Sequence, residues 1–113
     1  MNTLLKNTLF FCLLLLATGC SKNEKTLKVA ATAVPHMEML TYIEHDLEQQ
    51  GIFLEIVVVD DYNIPNRALA DGEVDANFFQ HAPYLDSQIK MFDYPIMNFA
   101  KIHLEPMGIY SKK

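Results

Sequence analysis

The residues best suited to meeting a small molecule are crowded between Asn77 and Tyr84. Asn77, Phe79, Gln80, His81 and Tyr84 follow one another closely. Val74, Ala76 and Phe78 alternate with the polar Asp75 and Asn77, the period of a half-buried strand. Pro83 is tolerated in the first turn of a helix, and Asp86 suits its positive end, so a helix starts at Ala82. The polar and aromatic groups therefore sit at the carboxyl end of a strand, where open α/β sheets bind ligands. Tyr62, Phe79 and His81 would supply flat walls and Asn77 an orienting polar group, the mixture that small-ligand pockets carry. The competing reading of the same stretch is an ordinary strand-to-helix turn with a satisfied core histidine.

Other chemistries are poorly supported. The histidines His36, His45, His81 and His103 show no HxxxH spacing and no pairing with cysteine, so no metal site is expected. Gly19, Gly51, Gly72 and Gly108 are scattered, whereas a phosphate cradle needs them clustered, so no nucleotide cofactor is expected either. Asp60 and Asp61 share the strand-end region with His81, and a carboxylate beside a histidine can tune its pKa. Consecutive residues at a strand end point to opposite sides, however, so the two aspartates cannot form a close dyad. Ser87 and Ser111 lack the strained elbow that marks a nucleophile. Binding without catalysis is the reading these residues favour.

The elements that must position these groups follow from periodicity. Leu27–Ala33 reads as a central strand and Ile52–Val59 as a second, strongly β-branched one. Between them Met37, Leu40, Ile43 and Leu47 recur at helical spacing, and Gly51 stops that helix. Pro65 starts a short helix that Gly72 ends. Val74–Phe78 is a third strand, followed by a helix over Ala82–Phe92 with Leu85, Ile89 and Phe92 on one face. Asp93-Tyr94-Pro95 is a turn, and Ile96–His103 and Met107–Tyr110 are read as further strands. The βαβαβ order predicts a doubly wound, mainly parallel sheet with right-handed connections. Thr32–His36, Asp60–Asn63 and Asn77–His81 then meet at one edge.

Two segments carry a specific resemblance. Asp75-Ala-Asn-Phe-Phe-Gln-His-Ala-Pro-Tyr-Leu-Asp86 and Asp61-Tyr-Asn-Ile-Pro-Asn-Arg-Ala-Leu-Ala-Asp-Gly72 resemble the NlpA-type methionine-binding lipoproteins that feed ABC importers. Gly108-Ile-Tyr-Ser-Lys-Lys113 extends the likeness, which covers Leu27 to Lys113. The resemblance implies the first lobe of a type II periplasmic-binding-protein fold, in a family whose members have two lobes clasping an amino acid. It implies a transporter permease and ATPase as partners. It also places Tyr62, Phe79 and His81 on the methionine side-chain pocket, with Asn77, Gln80 and Tyr84 in supporting roles. A thioether gains about 0.3–1.5 kcal/mol per contact with aromatic edges. The family's carboxylate-binding arginine comes from the second lobe, and the one arginine here, Arg67, reads as part of a solvated face. On this reading the chain carries half a site.

The first residues read as a leader. Lys6 precedes an apolar run, Leu9–Ala17, that is shorter than the ~20 residues a bilayer span needs. Thr18-Gly19-Cys20 then reads as a lipoprotein cleavage site, an ordinary signal peptide or a tail-less anchor being the alternatives. The expected division is a signal peptide over 1–19, a lipidated tether over 20–26 and an α/β lobe over 27–113. Cys12 leaves with the leader and Cys20 takes the lipid, so no disulfide can form. Losing Lys6 from 9 basic residues leaves 8 against 14 acidic, a net −6, which argues against nucleic acid. The expected location is a membrane surface, lipid-anchored, facing the periplasm or exterior. Two function classes stay open: a binding component of an importer, or a non-binding truncated remnant that acts as an association surface.

Overall fold

The computed structural model describes residues 25–112. The expected leader and the expected lipidation site at Cys20 lie outside them. Three strands and three α-helices alternate: β1 Lys25–Ala31, α1 Glu38–Gln49, β2 Ile52–Val58, α2 Ile64–Ala70, β3 Ala76–Phe78 and α3 Ala82–Phe92. A wide turn over Ala33–Met37 joins β1 to α1, closed by the Met37 N–H donating to the Thr32 carbonyl at 2.9 Å.

The strand order is β2-β1-β3, parallel throughout. β1 is paired along both edges: Lys25–Ala31 faces Ile52–Val58 in register, and Val29–Ala31 faces Ala76–Phe78. A strand held on both sides and covered on both faces needs small apolar residues. Val29, Ala30 and Ala31 are accordingly buried, Ala31 completely. The chain leaves β1 toward β2 on one side and returns past it to β3 on the other. Right-handed connections then place α1 and α2 on opposite faces of the sheet. Ala30, Ala68 and Val74 form the core under α2, with Val57 and Leu69 packed against them.

Each boundary has a local cause. Gly51 follows α1 at φ +80° and Gly72 follows α2 at φ +74°, left-handed conformations that a side chain would resist. β3 is shorter than the expected Val74–Phe78 because Asp75 replaces ladder pairing with its side chain. Its N–H donates to the Lys28 carbonyl and its carboxylate accepts the Lys28 N–H, both at 2.8 Å. α3 spans the expected range, its first turn pre-set by proline. α1 has no fully buried residue; its apolar stripe of Met37, Leu40 and Leu47 is half-buried, and Ile43 is exposed.

The expectation of strands at Ile96–His103 and Met107–Tyr110 is corrected: residues 93–112 hold neither helix nor strand. An extended segment becomes a strand only when a neighbour offers its backbone edge, and none of the described strands does so here. Phe99, Leu104, Met107 and Ile109 consequently lie in the open, each at least 96% exposed.

α2 and β3 are tied by carboxamides. Asn66 is completely buried. Its Nδ2 donates to Gln80 Oε1 at 2.8 Å, and its Oδ1 accepts from Gln80 Nε2 at 2.7 Å and Asn77 Nδ2 at 3.0 Å. Asn77 Nδ2 also donates to the Pro65 carbonyl at 3.1 Å. A buried polar group left without its partner costs about 1–3 kcal/mol. Asn66→Ala leaves Gln80 Oε1 without its donor, while Asn77 Nδ2 keeps the Pro65 carbonyl and Gln80 Nε2 keeps Asn77 Oδ1 at 3.4 Å, so we expect a loss of about 1–3 kcal/mol, one such penalty. Urea denaturation should show it as a lower midpoint with an unchanged slope. A midpoint equal to that of the parent chain would mean that the knot contributes nothing.

Candidate ligand-binding site

The carboxyl ends of the strands carry two groups of side chains, separated by the alternation of Phe78 and Phe79. Successive residues at a strand end point to opposite faces. Phe79 is buried and stacks on Tyr62, with ring centroids 6.1 Å apart and planes inclined by 18°. Tyr84 meets Phe79 edge-on at 6.1 Å, and His81 lies edge-on to Tyr84 at 6.4 Å. The Tyr84 hydroxyl donates to the Tyr62 carbonyl at 3.1 Å, pinning the loop after β2 to the start of α3. Tyr62 leaves 61% of its surface in solvent, so it offers an aromatic face rather than filling the core.

His81 is the N-cap of α3. Its Nδ1 accepts the Tyr84 N–H at 3.1 Å. Accepting there requires the proton to sit on Nε2. The side chain is thus a cap at one nitrogen and a donor at the other, beside the Phe79 and Tyr84 rings. Asn77 and Gln80 are placed differently: their amides are engaged with Asn66 and the Pro65 carbonyl, on the side of the strand end toward α2. Their position supports the wall from behind. Asp61 Oδ1 accepts from the Asn63 backbone and side chain at 2.7 and 3.0 Å, a local turn bond. Arg67 is exposed on α2.

On the other face Phe78 lies edge-on to His36 at 4.6 Å and to His103 at 5.6 Å. His36 is buried, and its Nδ1 is 2.6 Å from the Thr32 hydroxyl. Its Nε2 lies 3.3 Å from Glu105 Oε1, to which His103 Nε2 also donates at 2.7 Å. Sequence spacing did not reveal this cluster, because His36 and His103 lie far apart in the chain although their rings are 5.3 Å apart in the fold. One signal was available: His103 and Glu105 are two apart in an extended segment, so they share a face. Asn66 was missed because nothing in its helical period distinguishes a buried amide from an exposed one.

A shallow depression of about 200 Å³ lies elsewhere, against α2, lined by Lys28, Ala30, Val57, Ile64, Ala68 and Val74 among others. It contains none of the candidate side chains and offers few polar groups to orient a ligand. The aromatic wall is the better candidate on chemistry, although it is open.

Comparisons with known proteins bear on the family. The family model of the NlpA lipoproteins matches residues 27–113. The chain belongs to the NlpA lipoprotein family. It is 48% identical over 95 residues to the methionine-binding lipoprotein MetQ of Bacillus subtilis, covering 83% of this chain and 35% of that one. Among solved structures, a pheromone cOB1 precursor/lipoprotein of the YaeC family from Enterococcus faecalis superposes with TM-score 0.76 at 47% identity. That match covers 79% of this chain and 37% of the other. An ABC-transporter periplasmic substrate-binding protein from Coxiella burnetii matches with TM-score 0.56 at 43% identity, over 60% and 30% of the two chains. This NlpA-family chain therefore spans about a third of the length of its relatives, and its βαβαβ unit fits one lobe of a periplasmic-binding-protein fold. The expected α/β class and family hold.

Burial holds His36 below the ordinary histidine value of 6.5; Glu105 opposes that and His103 adds to it. The hydrogen bond from His103 holds Glu105 below the ordinary 4.5, burial acting against it and the two imidazole charges with it. Both shifts mean that the unfolded chain takes up protons more readily than the folded one. Stability then rises with pH through each window. We expect the melting temperature to be flat above about pH 6.5, to fall below it as His36 is forced to charge, and to fall again below about pH 4.5 through Glu105. His36→Gln should remove the first decline and leave the second. A first decline that persists unchanged in the variant would assign it to another group.

Proposed function

We propose that this chain supplies the first lobe of a membrane-tethered receptor for methionine or a related amino acid in an ABC importer. The observation that carries the reading is the wall of Tyr62, Phe79 and Tyr84 with His81 at its rim, placed at the carboxyl ends of the strands. The β2-β1-β3 order makes that the topological switch point, where such sheets bind ligands. The names of the relatives, a methionine-binding lipoprotein and an ABC substrate-binding protein, support the ligand class and the partners. Tyr62, Phe79 and His81 contact the ligand in this proposal. Phe79 forms the floor, Tyr62 the exposed face, and His81 presents its free Nε2–H. Asn77, Gln80 and Tyr84 hold them in place.

The carboxylate of the amino acid is proposed to be met by an arginine outside this chain, which spans 35% of the B. subtilis relative. Lacking one member of a buried charge-assisted pair costs roughly 2–5 kcal/mol, on the order of 30-fold to several-thousand-fold in affinity. Calorimetry with L-methionine at micromolar protein should show little heat for this chain alone. Joined to the second lobe of the B. subtilis relative, it should bind. Phe79→Ala in the joined protein should then weaken binding about 10- to 100-fold, the equivalent of one buried aromatic side chain. Tight binding by the short chain would refute the half-site argument. Indifference of the joined protein to Phe79→Ala and His81→Ala would move the pocket elsewhere.

A second reading has its own support. The exposed Phe99, Leu104, Met107 and Ile109 form an apolar stretch of the kind that associates with another surface. A chain that self-associates while neither it nor the joined protein takes up methionine would favour a role in association alone.

Attachment is proposed to run through a lipid on Cys20, with the lobe facing the periplasm or cell exterior. No helix among the described residues is long and apolar enough to cross a membrane. One acyl chain binds a membrane only marginally, with a constant of about 10⁴ M⁻¹, so stable anchoring needs more than one. A diacylglyceryl thioether supplies two. Cys20→Ala should shift the protein from the membrane pellet to the soluble fraction of fractionated cells. Undiminished pelleting would rule out the anchor.

A further inference from the structure

We propose that His36, His103 and Glu105 form a binding site for a zinc-class divalent transition ion that clamps the 93–112 segment onto the end of the sheet. The three residues offer two imidazole nitrogens and one carboxylate oxygen, all within 4.8 Å of one another. Four tetrahedral ligands at about 2.0–2.1 Å from zinc stand about 3.3 Å apart. His36 Nε2 and Glu105 Oε1 are already separated by 3.3 Å. His103 Nε2 and Glu105 Oε1 are hydrogen-bonded at 2.7 Å. Exchanging that proton for the ion moves them apart by about half an ångström, within reach of a half-exposed glutamate.

The surroundings have the features of a prepared site. A metal-ligating histidine uses its other nitrogen in a hydrogen bond that fixes ring orientation. Thr32 Oγ1 does this for His36, 2.6 Å from Nδ1, and directs Nε2 toward Glu105. Phe78 packs edge-on against both imidazoles, holding them and keeping water from one side. The ligating atom of His103 is Nε2, which faces Glu105; its Nδ1, buried and without a partner, takes the proton that Nε2 gives up. Burial also favours the neutral form of His36, the form that ligates.

The donor set narrows the ion to the first-row divalent metals, zinc and iron(II) among them. Calcium and magnesium take oxygen ligands, and copper(I) favours sulfur, whereas two histidines and one carboxylate with an open position suit zinc. Glu105 is more than half exposed, so the fourth position faces solvent. The physical consequence is cross-linking. His36 follows β1, while His103 and Glu105 belong to a segment that has no ladder of its own, so ligation ties that segment to the sheet.

The test uses the full 113-residue chain with its two cysteine thiols alkylated, so that sulfur cannot compete. Cobalt(II) should give the intense visible absorption of a tetrahedral site at one equivalent, and zinc should displace it. Zinc at 100 times its dissociation constant should raise the folded-to-unfolded ratio about 100-fold. Because His36 is buried and its loss could unfold the chain, the decisive variants are His103→Gln and Glu105→Gln. Each should abolish the cobalt band while near-native circular dichroism is retained. Thr32→Val should weaken zinc about 10- to 100-fold by freeing the His36 ring. His45→Gln, at an exposed histidine paired with Gln49, should change nothing. The proposal is overturned if the chain takes up no zinc, or if both decisive variants bind it as tightly as the parent. It is equally overturned if His45→Gln removes the binding.

Discussion

The carboxamide of Asn66 has no access to water, so its donors and acceptor must be matched inside the protein or the fold bears the full desolvation cost. It is matched by groups from one short stretch, the side chains of Asn77 and Gln80. That pairing holds α2 against the last strand and fixes the path of the chain as it leaves β3. Phe79 lies between the two residues so fastened, and His81 follows directly after. The direction of the aromatic wall is therefore set by amide geometry behind it. A purely apolar contact at Asn66 could bury similar area, but it would not select one register for residues 77–80.

β1 supplies the second constraint. Because it is paired on both edges, it can bring residues from distant parts of the chain to a common end, and the β2-β1-β3 order opens a crevice there. The three-residue β3 then divides that end into two environments. Phe79 joins tyrosines and a capping histidine on one face; Phe78 joins two imidazoles and a carboxylate on the other. A one-residue slip in register would exchange these sets, placing the apolar wall where the titratable cluster now is. Asp75 opposes such a slip, since its backbone and carboxylate grip both polar groups of Lys28 just before the ladder begins.

Much of this was legible in the residue pattern where local chemistry and burial agree. The β-branched run at Ile52–Val58, Gly51 and Gly72 at helix ends, and Pro83 in the first turn of α3 each specify a local state. That Tyr62 and Phe79 share one edge followed from the strand order; their stacking did not. Side-chain commitments were not legible. Whether Asn77 faces a ligand or the protein depends on Asn66, which arrives from another element. The cluster of His36 with His103 depends on a segment folding back across the sheet. The two strands expected after Asp93 failed for the same kind of reason: apolar composition states a willingness to be a strand, while the ladder requires a neighbour.

That last segment also sets an energetic scale. Phe99, Leu104, Met107 and Ile109 are almost wholly exposed. Burying a side chain of this size is worth about 1.5–3 kcal/mol, so these four withhold about 6–12 kcal/mol from the fold. A whole domain is stable by only about 5–15 kcal/mol. An apolar partner surface laid along residues 97–110 would thus change the stability of this lobe by an amount comparable to all it has. Contacts at His103 act on the same segment from its other side, because each group that fastens it to Phe78 and His36 lowers the entropy still to be lost when the apolar side chains are covered. Fastening and covering are in this way coupled, and the imidazole cluster biases where along the sheet the covering must begin.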